Sequence, residues 1–223
     1  MTPNKPILTL LAFCSVFLLA CGGGSGDSAL DKAVKNLGSD LASERIAAID
    51  TLIASGNKAK EHVAKAVPLL NDDKAKVRAA AIRLVVKFKH GTEEVTDALV
   101  SIVESDSDIQ CKIGGFNALK ELGEEAKFVE ACAAALTKGN AELKENAAMA
   151  LALSENPVPK AQDALIAGCD DKNAVVRMSC VTALGNLGVD ASDAAKAKIK
   201  ALEADADADV KEAAKEALAN LKE

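Results

Sequence analysis

A short helical phrase returns six times in this chain at nearly constant spacing, and no other feature restricts the possible folds as strongly. Its clearest copy spans 72–84 (DDKAKVRAAAIRL) and its echo spans 170–184 (DDKNAVVRMSCVTAL). The basic residue of each copy falls at Arg45, Arg78, Lys112, Lys144, Arg177 and Lys211, at intervals of 33, 34, 32, 33 and 34 residues. A fixed period in this range marks a stacked array of like units, not a globule around one buried pocket. Such an array offers surface for binding more readily than a site for catalysis.

The same offsets recur after each basic anchor. Three residues on stand Ala48, Ala81, Gly115, Ala147, Cys180 and Ala214, all small. Seven residues on stand Leu52, Val85, Leu119, Leu151, Leu184 and Leu218. These offsets share one helical face. The small residue lets a partner helix approach closely, and the pattern places that partner before the anchor, at 61–70, 95–103, 128–136 and 161–169. Short polar turns rich in Asp and Asn separate the two helices, and their side chains are expected to cap the second helix by accepting its free N–H groups. Gly56, Gly91, Gly123 and Gly188 are expected to end second helices in a left-handed conformation. Pro68 falls late in a first helix and predicts a bend there. Alternating Lys and Glu over 209–223 predict a wet end cap on the last helix.

A first helix with Pro, then Leu69-Leu70-Asn71-Asp72-Asp73, then Val77-Arg78-x-x-Ala81-x-x-x-Val85 resembles HEAT repeats. The short period is similar to the compact repeats of the phycobilisome-lyase type. The resemblance covers about residues 29–223. It is weakest near Arg45, where Glu44 replaces an apolar residue. It implies an all-α fold, an α-solenoid of about six stacked helix pairs in a right-handed superhelix, with second helices along the inner curve. It also implies a structural ladder in which Arg78, Lys112 and Arg177 reach the inter-helix acids of neighbouring repeats, from Asp72 or Asp73, Asp106 or Asp108, and Asp170 or Asp171. Partly exposed pairs of this kind are each worth about 0–1 kcal/mol. With helices packed about 8–10 Å apart, six repeats would extend roughly 50–60 Å.

The start of the chain carries a different message. Lys5 precedes an apolar run over 7–20, shorter than the roughly 20 residues a spanning helix needs. That order reads as a secretory signal. It ends in Leu18-Leu19-Ala20-Cys21, which resembles the lipobox of bacterial lipoproteins, where cleavage precedes a Cys that is then acylated. The resemblance implies a signal peptide at 1–20, lipidation at Cys21, and a membrane partner reached through the lipid. Two acyl chains suffice for stable anchoring, each buried methylene contributing about 0.8 kcal/mol. The Gly/Ser-rich stretch completing 21–28 reads as a flexible tether, ahead of a repeat domain at 29–223. Gly22, where an Asp would favour the inner membrane by that resemblance, points to the outer membrane of a bacterial envelope.

Composition narrows the partners. Removing 1–20 takes away one charged residue, Lys5, leaving 26 basic and 33 acidic side chains and a net charge of −7. That argues against nucleic acid as a partner, since phosphate neutralisation needs clustered Lys and Arg. The chain has no Trp and no Tyr, so it has little aromatic surface for stacking bases or sugars. Cys111, Cys132, Cys169 and Cys180 fall in small apolar slots of the repeat, which favours buried thiols. Four Cys nevertheless allow three disulfide pairings that sequence cannot choose between.

No catalytic constellation emerges. The two histidines, His62 and His90, lie on different helices, and the His-Glu steps of HEAT-like iron hydroxylases are absent. No cofactor and no metal site is expected. The acids at 205–209 with Glu216 mimic part of a calcium loop, but Val210 replaces its Gly and fills the repeat's apolar slot, so a capping turn is the simpler reading. One candidate surface remains. Offsets of 4, 5, 8 and 9 from the anchor, with Met178 nearby, are expected to face the inner curve and would expose Val86, Phe116, Met149, Leu153, Met178 and Val181. A row of this kind suits an adaptable protein-binding groove. These readings predict a non-enzymatic, membrane-anchored scaffold that binds another protein. The alternatives are an accessory or non-catalytic relative of a HEAT-like enzyme, or a purely structural envelope protein.

Overall fold

The structure, a computed structural model, describes residues 25–152 and 161–221, and every regular element among them is helical. Helices α1 (Ser25–Asn36) and α2 (Ala42–Ser55) form the first pair. In the second, 3₁₀ turns Gly56–His62 and Val67–Asn71 flank the single turn α3 (Val63–Ala66), and α4 (Ala75–Lys87) follows. Four pairs complete the stack: α5 (Glu93–Ser105) with α6 (Ile109–Glu121), α7 (Glu125–Lys138) with α8 (Ala141–Ala152), α9 (Gln162–Gly168) with α10 (Ala174–Gly185), and α11 (Asp193–Leu202) with α12 (Ala208–Asn220).

Each second helix packs on the first helix of its own pair and on the second helix of the next. The series α2, α4, α6, α8, α10 and α12 thus forms one layer, and α5, α7, α9 and α11 continue the other. The result is an α-solenoid. No described helix is long and apolar enough to cross a membrane.

The repeat offsets explain the packing. Val77, Cys111, Leu143, Val176 and Val210, each just before an anchor, are sealed from solvent, as are the small residues three positions after it. Two glycines show how close the helices come. A Cβ on Gly115 would meet Val103 Cγ2 at 2.9 Å, where α6 lies on α5. A Cβ on Gly185 would meet Ala217 Cβ at 2.5 Å, where α10 lies on α12.

Local chemistry sets the element ends. Asp108, Asn173 and Asp207 cap α6, α10 and α12, and Asn140 Oδ1 accepts from Leu143 N at the start of α8. Leu41 and Lys74 hold the equivalent positions of α2 and α4 without a side-chain cap. Gly56, Gly123 and Gly188 adopt positive φ. Gly91 does not. Lys89 takes the left-handed conformation instead (φ 50°), and its Nζ donates to the Glu121 carbonyl at the end of α6. Pro68 does more than bend its helix. The missing N–H leaves a 3₁₀ turn around it, and the whole first helix of that repeat is broken into short pieces. α1 begins at Ser25, inside the stretch expected to be tether, because Leu30 and Ala33 bury one face of that helix, with Leu37 buried just past its end, and the helix runs back beyond them. The proposed signal at 1–20 and Cys21 lie outside the described residues.

Gly185→Ala is expected to force α10 and α12 apart, at a cost of roughly 1–3 kcal/mol. Thermal melting by circular dichroism checks this, and an unchanged melting temperature would contradict so close an approach.

Candidate functional site

The anchors form a ladder along the second-helix layer. Arg78 donates through Nε and a terminal nitrogen to both oxygens of Asp106, at 2.6 and 2.5 Å, and through its other terminal nitrogen to the Asp72 carbonyl at 2.7 Å. Arg177 repeats this on Asp205, at 2.8 and 2.7 Å, and on the Asp171 carbonyl. Arg45 reaches Asp72 at 2.8 Å, and Lys144 reaches Asp171 at 2.7 Å. Each ladder Asp also accepts a backbone N–H two residues on, from Lys74, Asp108, Asn173 or Asp207, which fixes the turn that launches the next helix. The side chains of Asp171 and Asp205 are held below the usual carboxylate range, chiefly by the hydrogen bonds from Lys144 and Arg177. Hydrogen bonding to Asp106 raises the Arg78 guanidinium further.

The structure separates the paired alternatives. Asp72 takes the rung to Arg45, while Asp73 is mostly exposed and pairs with both Arg45 and Lys74. Asp106 takes the rung and Asp108 caps α6. Asp171 takes the rung, and Asp170 pairs with Lys198. Lys112 departs from the expected pattern. Its Nζ donates to the Glu104 carbonyl and meets no carboxylate among the described residues, because the rung position six residues before the next anchor is Lys138. Both lysines line a dent of about 260 Å³ at this seam. Asp205 is a rung that sequence reading placed in a calcium-like run. Its pairing with Arg177 and the capping role of Asp207 account for both acids, and no group of residues suited to a metal ion occurs among the described residues.

The second-helix surface differs in part from expectation. Phe116 and Val181 are 1% and 0% exposed and belong to the core. Their offset, four after the anchor, also holds Ile49, Ile82 and Ala148, all buried, since this row packs against the neighbouring repeat. The repeat of α12 carries exposed Lys215 there. That contrast is visible in the sequence and could have reassigned the row. Val86 is half-buried against the core. Leu153 lies outside the described residues. The row five after the anchor faces solvent throughout, with Asp50, Arg83, Asn117, Met149, Thr182 and Glu216. Met149 is its one apolar member and is 48% exposed. It lines, with Met178, Thr182, Glu212 and Glu216, an open groove of about 430 Å³ between α8, α10 and α12.

The remaining reactive groups are inert by position. Cys111, Cys132, Cys169 and Cys180 are free and buried. Burial pushes the Cys111 thiol up to about 11 and Cys169 to about 12, and drives Cys132 and Cys180 upward as well. Thiols so shifted supply no thiolate near neutral pH. His62 lies beside Glu61 at 3.6 Å.

Residues 129–219 match the family model described as HEAT repeats. The solved structures include an engineered protein from a structural genomics consortium, at 22% identity and TM-score 0.57, covering 86% of this chain and 96% of that one. Computationally designed armadillo repeat proteins for modular peptide recognition match at 20% identity and TM-score 0.56, covering 86% and 99%. A designed armadillo repeat protein in complex with the peptide (KR)4 matches at 20% identity and TM-score 0.54, covering 86% and 99%. No curated protein matches the chain. These likenesses establish a HEAT/armadillo-like repeat fold.

Lys138→Asp is expected to supply the missing rung to Lys112 and to raise stability by up to about 1 kcal/mol. Arg78→Lys, which keeps the charge but loses the two-pronged contact with Asp106, is expected to lower it by about 1–3 kcal/mol. Lowered carboxylates stabilise the fold above their unfolded value near 4, and that contribution is lost as pH falls through the folded values. Denaturant melts at pH 7 check both variants, and Lys144→Ala, which removes the group that holds Asp171 low, should lose stability at pH 7 and come closer to the parent chain at pH 3.

Proposed function

We propose that this chain is a lipid-anchored, non-enzymatic lipoprotein of the bacterial envelope, on the outer membrane in preference to the inner, whose repeat stack is a docking scaffold for another protein. The observation that carries the docking reading is Met149. A solvent-facing row that is otherwise polar exposes a flexible thioether beside half-buried Met178, over a groove walled by three successive second helices. Met surfaces re-pack to fit partners and lose little on desolvation. The fold supports the reading too, since HEAT and armadillo-like arrays commonly bind proteins or peptides, as in the designed armadillo peptide complex. The non-enzymatic reading rests on the high, buried thiols and on the ladder's use of its acids as turn-formers. The anchor rests on the sequence Leu18-Leu19-Ala20-Cys21.

Two measurements test the two parts. Cells fed radiolabelled palmitate should label the protein, and Cys21→Ser should abolish the label. Retention of label in that variant would remove the anchor. Met149→Glu with Met178→Glu should cut crosslinked partner recovered from intact envelopes by about tenfold, in line with loss of a central apolar anchor, while the melting temperature holds. Equal recovery would place docking elsewhere on the stack.

A further inference from the structure

The groove at the C-terminal end of the stack has a one-sided rim. Its floor is apolar, built by Met149 from α8 and Met178 from α10. Its far wall is α12, which presents Asp209, Glu212 and Glu216. No Lys or Arg lines it. Positions i, i+3 and i+7 share one helical face, so the three carboxylates form a single line about 10 Å long at 1.5 Å rise per residue. Glu212 pairs with Lys215 at 3.1 Å, but both side chains are more than half exposed, so the pair offsets little of the wall's charge. The Asp209 and Glu216 carboxylates meet no cation among the described residues. These acids are not ladder members. The ladder acid of this repeat is Asp205, already satisfied by Arg177. Nor do they hold the turn, which Asp207 caps. The same solvent-facing row carries Arg83 in the second repeat, where it pairs with Asp50 of the first, so an acidic wall is a property of this end of the stack and not of the repeat.

We infer that this groove takes a cationic amphipathic segment of a partner protein, one that sets an apolar side chain on the Met149–Met178 floor and spaces Lys or Arg along the Asp209–Glu212–Glu216 line. The inference rests on the docking reading of the groove and adds the chemistry of the occupant. An acidic segment would leave like charges facing across the wall. A purely apolar segment would strip water from three carboxylates without replacing their hydrogen bonds. A basic segment neutralises the wall and gains steering toward it before contact.

The test uses the full chain in a non-ionic detergent and a fluorescein-labelled amphipathic peptide with Leu on one helical face and Lys on the other, read by fluorescence anisotropy. A copy with every Lys changed to Glu is the comparison. The Lys peptide should bind at least about tenfold more tightly than the Glu peptide, with affinity falling as salt rises. The triple variant D209N/E212Q/E216Q should weaken it by about tenfold, whereas D31N/E93Q/E94Q, with the same charge change on exposed acids far from the groove, should stay within about twofold. Equal loss in the two triple variants would reduce the effect to net charge and overturn the inference. So would equal affinity for the two peptides, or no binding of the Lys peptide. If M149S/M178S weakens binding while neutralising the wall does not, the docking reading stands and the cationic partner falls.

Discussion

A single helix pair of this chain cannot cover its own apolar stripe, and the whole structure follows from that shortfall. The apolar residues just before the anchors and those three, four and seven after them are buried, fully in nearly every repeat, only because a neighbouring helix lies on them. Fully burying one Leu- or Val-sized side chain is worth about 1.5–3 kcal/mol, and each interface seals several. A ladder rung in a partly exposed setting is worth about 0–1 kcal/mol. The apolar interfaces therefore decide that the pairs stack, and stability accumulates from neighbour to neighbour.

The rungs decide how the pairs stack. Arg78 binds Asp106 in the next turn and the Asp72 carbonyl in its own, so a single guanidinium fixes two inter-helix turns relative to each other. Its side chain and that of Asp106 are 11% and 3% exposed, so losing either partner leaves a nearly buried charge without its mate. That asymmetry explains why the pairing can hold register while adding little net stability. The seam between the third and fourth pairs shows the converse. Lys138 replaces the acid, Lys112 turns to the end of α5, and the junction is carried by apolar packing with a Lys127–Asp97 pair between the first helices in place of a rung.

Most of this was legible from the chain because the array repeats. Six copies of one motif average out local noise, so the anchors, the small slot and the pairing of helices could be read directly. Asp205 was harder to place, because an Asp-x-Asp-x-Asp run also resembles a cation loop and only the distance to Arg177 tells the two apart. The inner surface was read one row too wide. Offsets of four and five both point away from the first helix, but only the first is covered by the next repeat, and that depends on the rotation between repeats, which no single copy encodes. Phe116 and Val181 were misassigned for that reason. Lys89 escaped notice because a left-handed Lys has no sequence signature, and Gly91 stood two residues away as the natural candidate.

The ends of such an array are where function can diverge at least cost. Internal second helices are constrained on both sides, so their exposed row varies only in what it shows to solvent. Among the described helices α12 packs chiefly on α10 and α11, and Lys215 occupies the position that five earlier repeats bury. With that position exposed, α12 carries acids along the face toward α10 without disturbing the core, since Val210, Ala214 and Ala217 seal the interface. Met149 shows the same economy one layer in. A side chain five positions after the anchor contributes nothing to stacking, so an exposed thioether there costs the fold little and leaves an apolar floor beneath a charged wall. The surface specialisation thus follows from the architecture. Stacking fixes the buried rows, and the rows it leaves uncovered can carry recognition.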